Sequence, residues 1–162
     1  MRVSEIMSKP VVTVHSDVTI AEAAKKMLDR RIGCVVVVDK QGNTCGILTE
    51  RDFIAHDPGN PLDIQRAPYL FGRNVRTNGM EAIYEASRAL PAHKVMRPIA
   101  VNLVEDDAVE KAMDQWVRHG FAHQPVLRNG KPVGMVSRHD LMRLIYLVRP
   151  NTPVSMAPSK AA

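Results

Sequence analysis

Gly46-Ile47-Leu48-Thr49-Glu50-Arg51-Asp52 and Gly134-Met135-Val136-Ser137-Arg138-His139-Asp140 are two copies of one pattern. Each has a glycine, an apolar strand end, a hydroxyl residue, two variable positions and an aspartate. At a strand-to-helix junction the hydroxyl residue caps the helix, and the acid three residues on lies on the same side of the first turn. Such a corner presents backbone N–H groups and the positive end of a helix dipole, both of which favour an anion. The carboxylate beside it only accepts hydrogen bonds, and its two oxygens match two neighbouring hydroxyls such as a ribose 2′,3′-diol. One Ser/Thr-x-x-acid is ordinarily no more than a helix start. Two at equivalent places in a repeated unit point to a shared role.

Upstream of the first copy, Val11-Val12-Thr13-Val14 reads as a strand of β-branched residues after Pro10. Thr19-Ile20-Ala21-Glu22 is a capping box, and a helix is expected from there to about Arg31. Ile20, Ala23, Ala24, Met27 and Leu28 form its apolar stripe, and Gly33 sits just past its end. Cys34 to Val38 is a strand apolar on both faces, so both faces should be covered. After the turn Lys40-Gln41-Gly42-Asn43, Thr44 to Leu48 returns antiparallel and Thr49 opens a second helix. The order is βαββα.

A shift of 89 residues carries Met7 onto Met96, Val12 onto Val101, Ile20 onto Val109 and Ala23 onto Ala112. One residue is lost at Asn129-Gly130, a strong two-residue hairpin signal, and the offset then becomes 88. The chain is therefore an internal duplication: a first unit over 1–56, an insert with one helix over 57–92, a second unit over 93–148 and a tail over 149–162. In the second unit Ala108 replaces the capping Thr19, with Asp106 and Asp107 as substitutes, and Leu141, Leu144, Ile145 and Val148 give the last helix an apolar face. In the insert, Asp57-Pro58-Gly59-Asn60-Pro61 is a turn cluster, Tyr69-Leu70-Phe71-Gly72 is an apolar patch expected to pack on the module, and a helix runs from about Met80 to Leu90, stopped by Pro91. The proline-bearing tail is expected to be mobile.

The residues 1–162 are 45% hydrophobic and 24% charged, which suits a soluble globular protein, and the 4% aromatic content makes the core aliphatic. The net charge of +5 comes from scattered residues, and no Lys/Arg block or basic–aromatic stripe marks a nucleic-acid surface. Cys34 and Cys45 form neither a Cys-x-x-Cys nor a zinc spacing. No secretory leader or membrane span is read, so the expected setting is reducing and cytoplasmic. The six histidines are dispersed, and none has a nucleophile–acid partner at motif spacing. His119 and His123 are separated by Gly120, which should end the helix between them. No enzyme and no metal site are expected.

Two βαββα units, each opening with Ile6-Met7 or Val95-Met96 and closing with the quoted heptads, resemble the cystathionine-β-synthase (CBS) domain pair, or Bateman module. The likeness covers the chain apart from residues 53–92 and the tail. It implies an α/β (α+β) fold in which tandem βαββα repeats pack about a pseudo-twofold axis with two clefts between them. Val35-Val36-Val37-Val38 stands where the family usually has Leu-Pro-Val-Val. The resemblance implies that the clefts bind an adenosine-containing regulator (AMP, ADP, ATP, S-adenosylmethionine or NAD), that no cofactor is required, that the chain forms a homodimer, and that occupancy is passed to a separate effector protein. Carried over by position, Asp52 and Asp140 would hold ribose hydroxyls, Thr49 and Ser137 would cap their helices and face ribose or phosphate, and Arg51 and Arg138 could neutralise phosphate. The base pocket would be lined by Ser8, Val11, Ile32, Gly33 and Cys34 in the first unit and by Arg97, Ala100, Phe121, Ala122 and His123 in the second. The rival reading is a partner-binding or nucleic-acid-binding module with no physiological nucleotide ligand.

Overall fold

A computed structural model describes residues 1–54, 80–99 and 101–147. The first unit holds helix α1 (Val3–Ile6), strand β1 (Thr13–His15), helix α2 (Ile20–Arg30) and strands β2 (Cys34–Val38) and β3 (Thr44–Thr49), ending in a 3-10 turn at Glu50–Phe53. Helix α3 (Met80–Ser87) and a 3-10 turn at Ala92–Lys94 lead into the second unit. That unit holds α4 (Val109–His119), β4 (His123–Arg128), β5 (Lys131–Ser137) and α5 (Arg138–Leu147).

Strand β1 pairs parallel to β2, which pairs antiparallel to β3. In the second unit β4 and β5 form the hairpin, and Asn129 and Gly130 both adopt positive φ (51° and 78°), the type I′ geometry their dipeptide predicts. The strand expected at Val101 is reduced to one parallel bridge, Leu103↔Val126, at the position of Val14↔Val37. Asn102 stands there in place of the β-branched Thr13, which weakens the strand.

The expected capping box forms at α2: the Thr19 hydroxyl accepts from the Glu22 N–H, and the Glu22 carboxylate accepts from the Thr19 N–H. Ile20, Ala23 and Met27 are buried, but Leu28 is 77% exposed. Residues 20, 23 and 27 define the inward stripe, and Leu28, one step beyond Met27, is rotated about 100° off it. Helix α2 closes with Arg31 in the left-handed region (φ 52°), not at Gly33. Gly120, at the same place in the repeat, closes α4 (φ 68°). Asp106 and Asp107 do not cap α4. Asp106 pairs with Arg2, while Asp107 accepts from Val104 N–H and Lys111. The Val109 N–H donates instead to the Met1 carbonyl at 3.1 Å.

That last bond belongs to a reciprocal exchange. The lead-in to each unit packs on the other one. Val3 and Met7 enter the core of Leu103, Ala112, Trp116, Val126 and Val136. Ala92 and Val95 enter the core of Val14, Ile20, Ala23, Met27, Val35, Val37 and Leu48. The Ile20 N–H donates to Leu90 as Val109 does to Met1. Ser8 bridges Met135 on β5, and Arg97 bridges Ile47 on β3. These matched pairs realise the pseudo-twofold relation. Gly46 and Gly134 permit it, because a Cβ on Gly46 would lie 2.5 Å from the Arg97 carbonyl and one on Gly134 would overlap the Met7 sulfur.

The expected helix after Thr49 is one 3-10 turn, closed by Ile54 in extended conformation. The turn cluster at 57–61, the patch at 69–72 and the tail lie outside the described residues, as does Val148. Helix α3 spans Met80–Ser87, and Pro91 bridges Thr19.

Candidate functional site

Both aspartates serve first as reciprocal caps. Asp52 Oδ2 accepts from the Thr49 N–H (2.7 Å) and hydroxyl (2.8 Å), and Asp140 Oδ2 accepts from the Ser137 N–H (2.8 Å) and hydroxyl (2.7 Å). Both are buried, at 0% and 6% exposure. The bland reading of the motif is therefore satisfied by one oxygen of each acid, and the other oxygen decides what more each can do. Asp52 Oδ1 accepts from Arg97 Nε at 2.5 Å. The repeat places Ser8 where Arg97 would be at Asp140, and the Ser8 hydroxyl donates to the Met135 carbonyl instead. Among the described residues no side chain pairs with Asp140 Oδ1.

The cavities on the two sides differ in size. A cavity of about 410 Å³ is walled by Ser8, Pro10, Val11, Val12, Ile32, Gly33 and Cys34 from the first unit and by His123, Met135, Ser137 and Asp140 from the second, with Arg31, His139 and Arg143 also on its walls. Its volume is in the range that takes a small molecule. On the opposite side, among the described residues, a hollow lined by Ile47, Pro98, Ile99, Val101, Phe121, His123, Gln124 and Pro125 has about 20 Å³, and Asp52 is not on its walls. That is room for about one water. A larger hollow of about 570 Å³ lies on the outer side of α2 between Ala24, Met27, Leu28, Arg31, Ile32, Glu50 and Phe53. Its walls are mostly apolar, with Arg31 and Glu50 as the charged lining residues, and no motif hydroxyl or aspartate lines it, so the 410 Å³ cleft is the better candidate.

The sequence-predicted residues thus sort crosswise. Ser8, Val11, Ile32, Gly33 and Cys34 meet His123, Ser137 and Asp140 in the open cleft. Phe121 lines the closed one and stacks on His119 with ring centroids 5.4 Å apart. Arg97 pairs with Asp52 and is among the lining residues of neither cavity. Arg138 turns to the Gly120 carbonyl (3.0 Å), and neither it nor Arg51 lines either cleft. Ala122 lines neither, and Ala100 lies outside the described residues. Gly33 admits the Glu50 carboxyl group, 3.1 Å from where a Cβ would sit.

Six residues of the cleft were missed: Pro10, Val12 and Met135, and the polar Arg31, His139 and Arg143. Arg143 follows Asp140 by three residues on α5, which helical spacing could have shown. Arg31 is an arginine where the repeat has glycine, a mismatch visible in the duplication itself.

Burial, with a smaller push from Asp52, raises the Cys34 thiol to about 12, so it stays protonated and unreactive. Burial lowers His123, opposed by Glu50 and Asp140 and assisted by Arg138. Its imidazole is therefore neutral near pH 7. Among the described residues no group of three His, Cys, Asp or Glu could hold a metal ion, and no helix is long and apolar enough to cross a membrane.

The CBS domain profile matches residues 3–59 and 92–147. The chain is 32% identical over 145 residues to a 17.7 kDa protein of Acidianus ambivalens, covering 89% of this chain and 73% of that one. It is 25% identical over 134 residues to a CBS domain-containing protein of Arabidopsis thaliana, covering 83% of this chain but only 20% of the relative. Among solved structures, the CBS domain of a CBS domain-containing membrane protein from Sphaerobacter thermophilus superposes with a TM-score of 0.68 at 36% identity, covering 89% of this chain and 87% of that one. The CBS domain pair of protein MJ0100, solved with 5′-methylthioadenosine and S-adenosyl-L-methionine, gives 0.66 at 24% identity, covering 90% and 96%. CBSX2 in complex with AMP gives 0.66 at 16% identity over the same shares. These last two establish likeness of fold.

Proposed function

This chain belongs to the CBS domain family, and from that premise we propose that it is a regulatory protein binding one adenosine-containing ligand in the 410 Å³ cleft. The observation that carries the reading is the second oxygen of Asp140. It belongs to a buried carboxylate at the cleft wall, is not used by the cap, and has the acceptor chemistry a ribose diol requires. Ser137 stands at the same helix start, and Val11, Ile32, Gly33 and Cys34 offer a small apolar slot for a base. AMP, ADP, ATP, S-adenosylmethionine and NAD are the candidates, and two proteins of the same fold carry AMP or the adenosyl thioether and sulfonium compounds. At the other cleft Thr49, Asp52 and the neighbouring Arg51 form the equivalent set, with Arg97 acting as the occupant.

The output we propose is a change in the relative arrangement of the two units, sensed by a separate effector protein, since the ligand touches both units and favours the arrangement that fits it. A relative named L-aspartate semialdehyde sulfurtransferase is matched over only 23% of its length, so its activity is not carried over. A homodimer completes the proposal. Leu28 and Val117, equivalent in the duplication, are 77% and 87% exposed, and Ile54 and Met142, also equivalent, are exposed too. Repeated apolar positions on both units suit a second copy of the same chain, because an isologous contact buries both at once.

The test is a thermal-shift panel with AMP, ADP, ATP, S-adenosylmethionine and NAD, with RNA as control. A ligand that binds only the folded form at about 100 times its Kd adds about 2.7 kcal/mol of stability. Asp140→Asn, which keeps one acceptor for the cap, should abolish the shift without unfolding the chain, while Asp52→Asn should leave it. No response to any adenosine compound, or a response insensitive to Asp140→Asn, would sink the reading.

A further inference from the structure

We infer that Arg31 is the residue that selects a phosphorylated nucleotide over an uncharged or cationic adenosine compound. The inference rests on the assignment of the open cleft above and goes beyond it by naming the charge of the ligand. Two observations meet at this residue. The first is conformational. Arg31 occupies the left-handed region at φ 52°, and the matching position in the other repeat is Gly120 at φ 68°. Left-handed backbone is unfavourable for any residue with a Cβ and is free for glycine. The fold needs only a helix terminator there, and glycine supplies it in the second unit. A non-glycine residue held in this region is a strain of the kind that gathers at ligand sites.

The second observation is electrostatic. Arg31, Arg143 and His139 stand on the walls of the open cleft, and among the described residues Asp140 is the only carboxylate that lines it. Asp140 is engaged by Ser137 on one oxygen and is suited to a diol on the other. Arg31 and Arg143 are then the cationic residues of its walls, and planar guanidinium binds phosphate through paired hydrogen bonds. S-adenosylmethionine would bring a sulfonium and an ammonium against a single carboxylate, a net cation, to these arginines. S-adenosylmethionine is accordingly disfavoured, and AMP, ADP or ATP fits.

The experiment is calorimetric titration of the full chain with adenosine, AMP and S-adenosylmethionine, on wild type, Arg31→Gly and Arg31→Lys, with melting temperatures alongside. Wild type should bind AMP about tenfold or more tightly than adenosine, the scale of one charge-assisted contact. Arg31→Gly should bring AMP down to the affinity of adenosine, leave adenosine unchanged, and keep or raise the melting temperature, since glycine relieves the backbone. Arg31→Lys should retain part of the AMP preference. A merely structural residue would lower both affinities together, and that result overturns the inference. Equal wild-type affinities for AMP and adenosine, or tighter binding of S-adenosylmethionine, overturn it as well while leaving the cleft assignment intact. Failure of every adenosine compound to bind wild type overturns both.

Discussion

Replacing Arg97 by the residue that holds its place in the first unit, Ser8, as Arg97→Ser, should open the closed cleft at a cost in stability. In the native chain Arg97 Nε lies 2.5 Å from Asp52 Oδ1, with Asp52 fully buried and the Arg97 side chain 37% exposed. Removing one partner of a buried ion pair typically costs about 3–5 kcal/mol, because the remaining charge is left without compensation. Two features reduce that figure here. The guanidinium is partly wet, so its field is already screened, and Thr49 continues to donate twice to Asp52. A loss of about 2 kcal/mol is expected, which for a chain of this size lowers the melting temperature by about 4–8 °C. The vacated space should let a nucleotide reach Asp52 as it reaches Asp140, so calorimetric stoichiometry should rise from one ligand per chain to two. Saturating ligand should then recover more stability in the variant than in wild type. Adding Asp52→Asn to Arg97→Ser should restore most of the lost stability, since neither charge is then buried, and return the stoichiometry to one. A wild-type stoichiometry of two would refute the reasoning outright. So would an Arg97→Ser protein with unchanged melting temperature that still binds one ligand.

Other perturbations probe the fold and its ionisable groups. Gly46→Ala forces a Cβ to 2.5 Å from the Arg97 carbonyl, across a bridge whose two hydrogen bonds measure 2.9 and 3.0 Å; a loss of about 1–3 kcal/mol should appear in urea titration. His123 is neutral in the folded chain because burial holds its imidazole below the ordinary 6.5. The unfolded chain therefore binds the extra proton first on acidification. Its contribution to stability is intact above about pH 6.5 and declines as pH falls toward the lowered folded value. His123→Gln should flatten the dependence of melting temperature on pH between about 7 and 5 relative to wild type, and an identical slope would remove His123 as its source. Leu28→Glu with Val117→Glu should convert a dimer to monomer in sedimentation velocity while leaving ligand affinity within about threefold; a wild-type monomer, or a variant that stays dimeric, would remove this face as the interface.

The features that were legible in the sequence are local ones. The Thr19–Glu22 box, the Asn129-Gly130 turn and the Thr49/Asp52 and Ser137/Asp140 caps each need only residues within a few positions, and the chemistry of those residues dictates the geometry. The duplication was legible because it is a comparison of the chain with itself. Exchange of the lead-ins was not. Nothing in Val3 or Val95 says which of two similar aliphatic cores each will enter, and Gly46 and Gly134, alike in both units, make room for the other unit's backbone and methionine without choosing between them. The exposure of Leu28 escaped for a related reason: helical periodicity gives the direction of a face but not its width.

Duplication also separates two kinds of information that a single sequence usually mixes. Positions alike in both units, such as Met7 and Met96 or Val14 and Leu103, make the same contacts twice and report on the fold. Positions that differ cannot be demanded by the fold, because the other unit does without them. Ser8 against Arg97 and Arg31 against Gly120 are two such positions at the clefts. The first difference leaves one aspartate accessible and neutralises the other. The second puts a strained arginine on the wall of the accessible cleft. Two departures from self-similarity that favour the same cleft are better explained by one specialised anion-binding site than by drift in two equivalent ones, and exchanging each residue for its repeat partner tests that explanation without any reference to another protein.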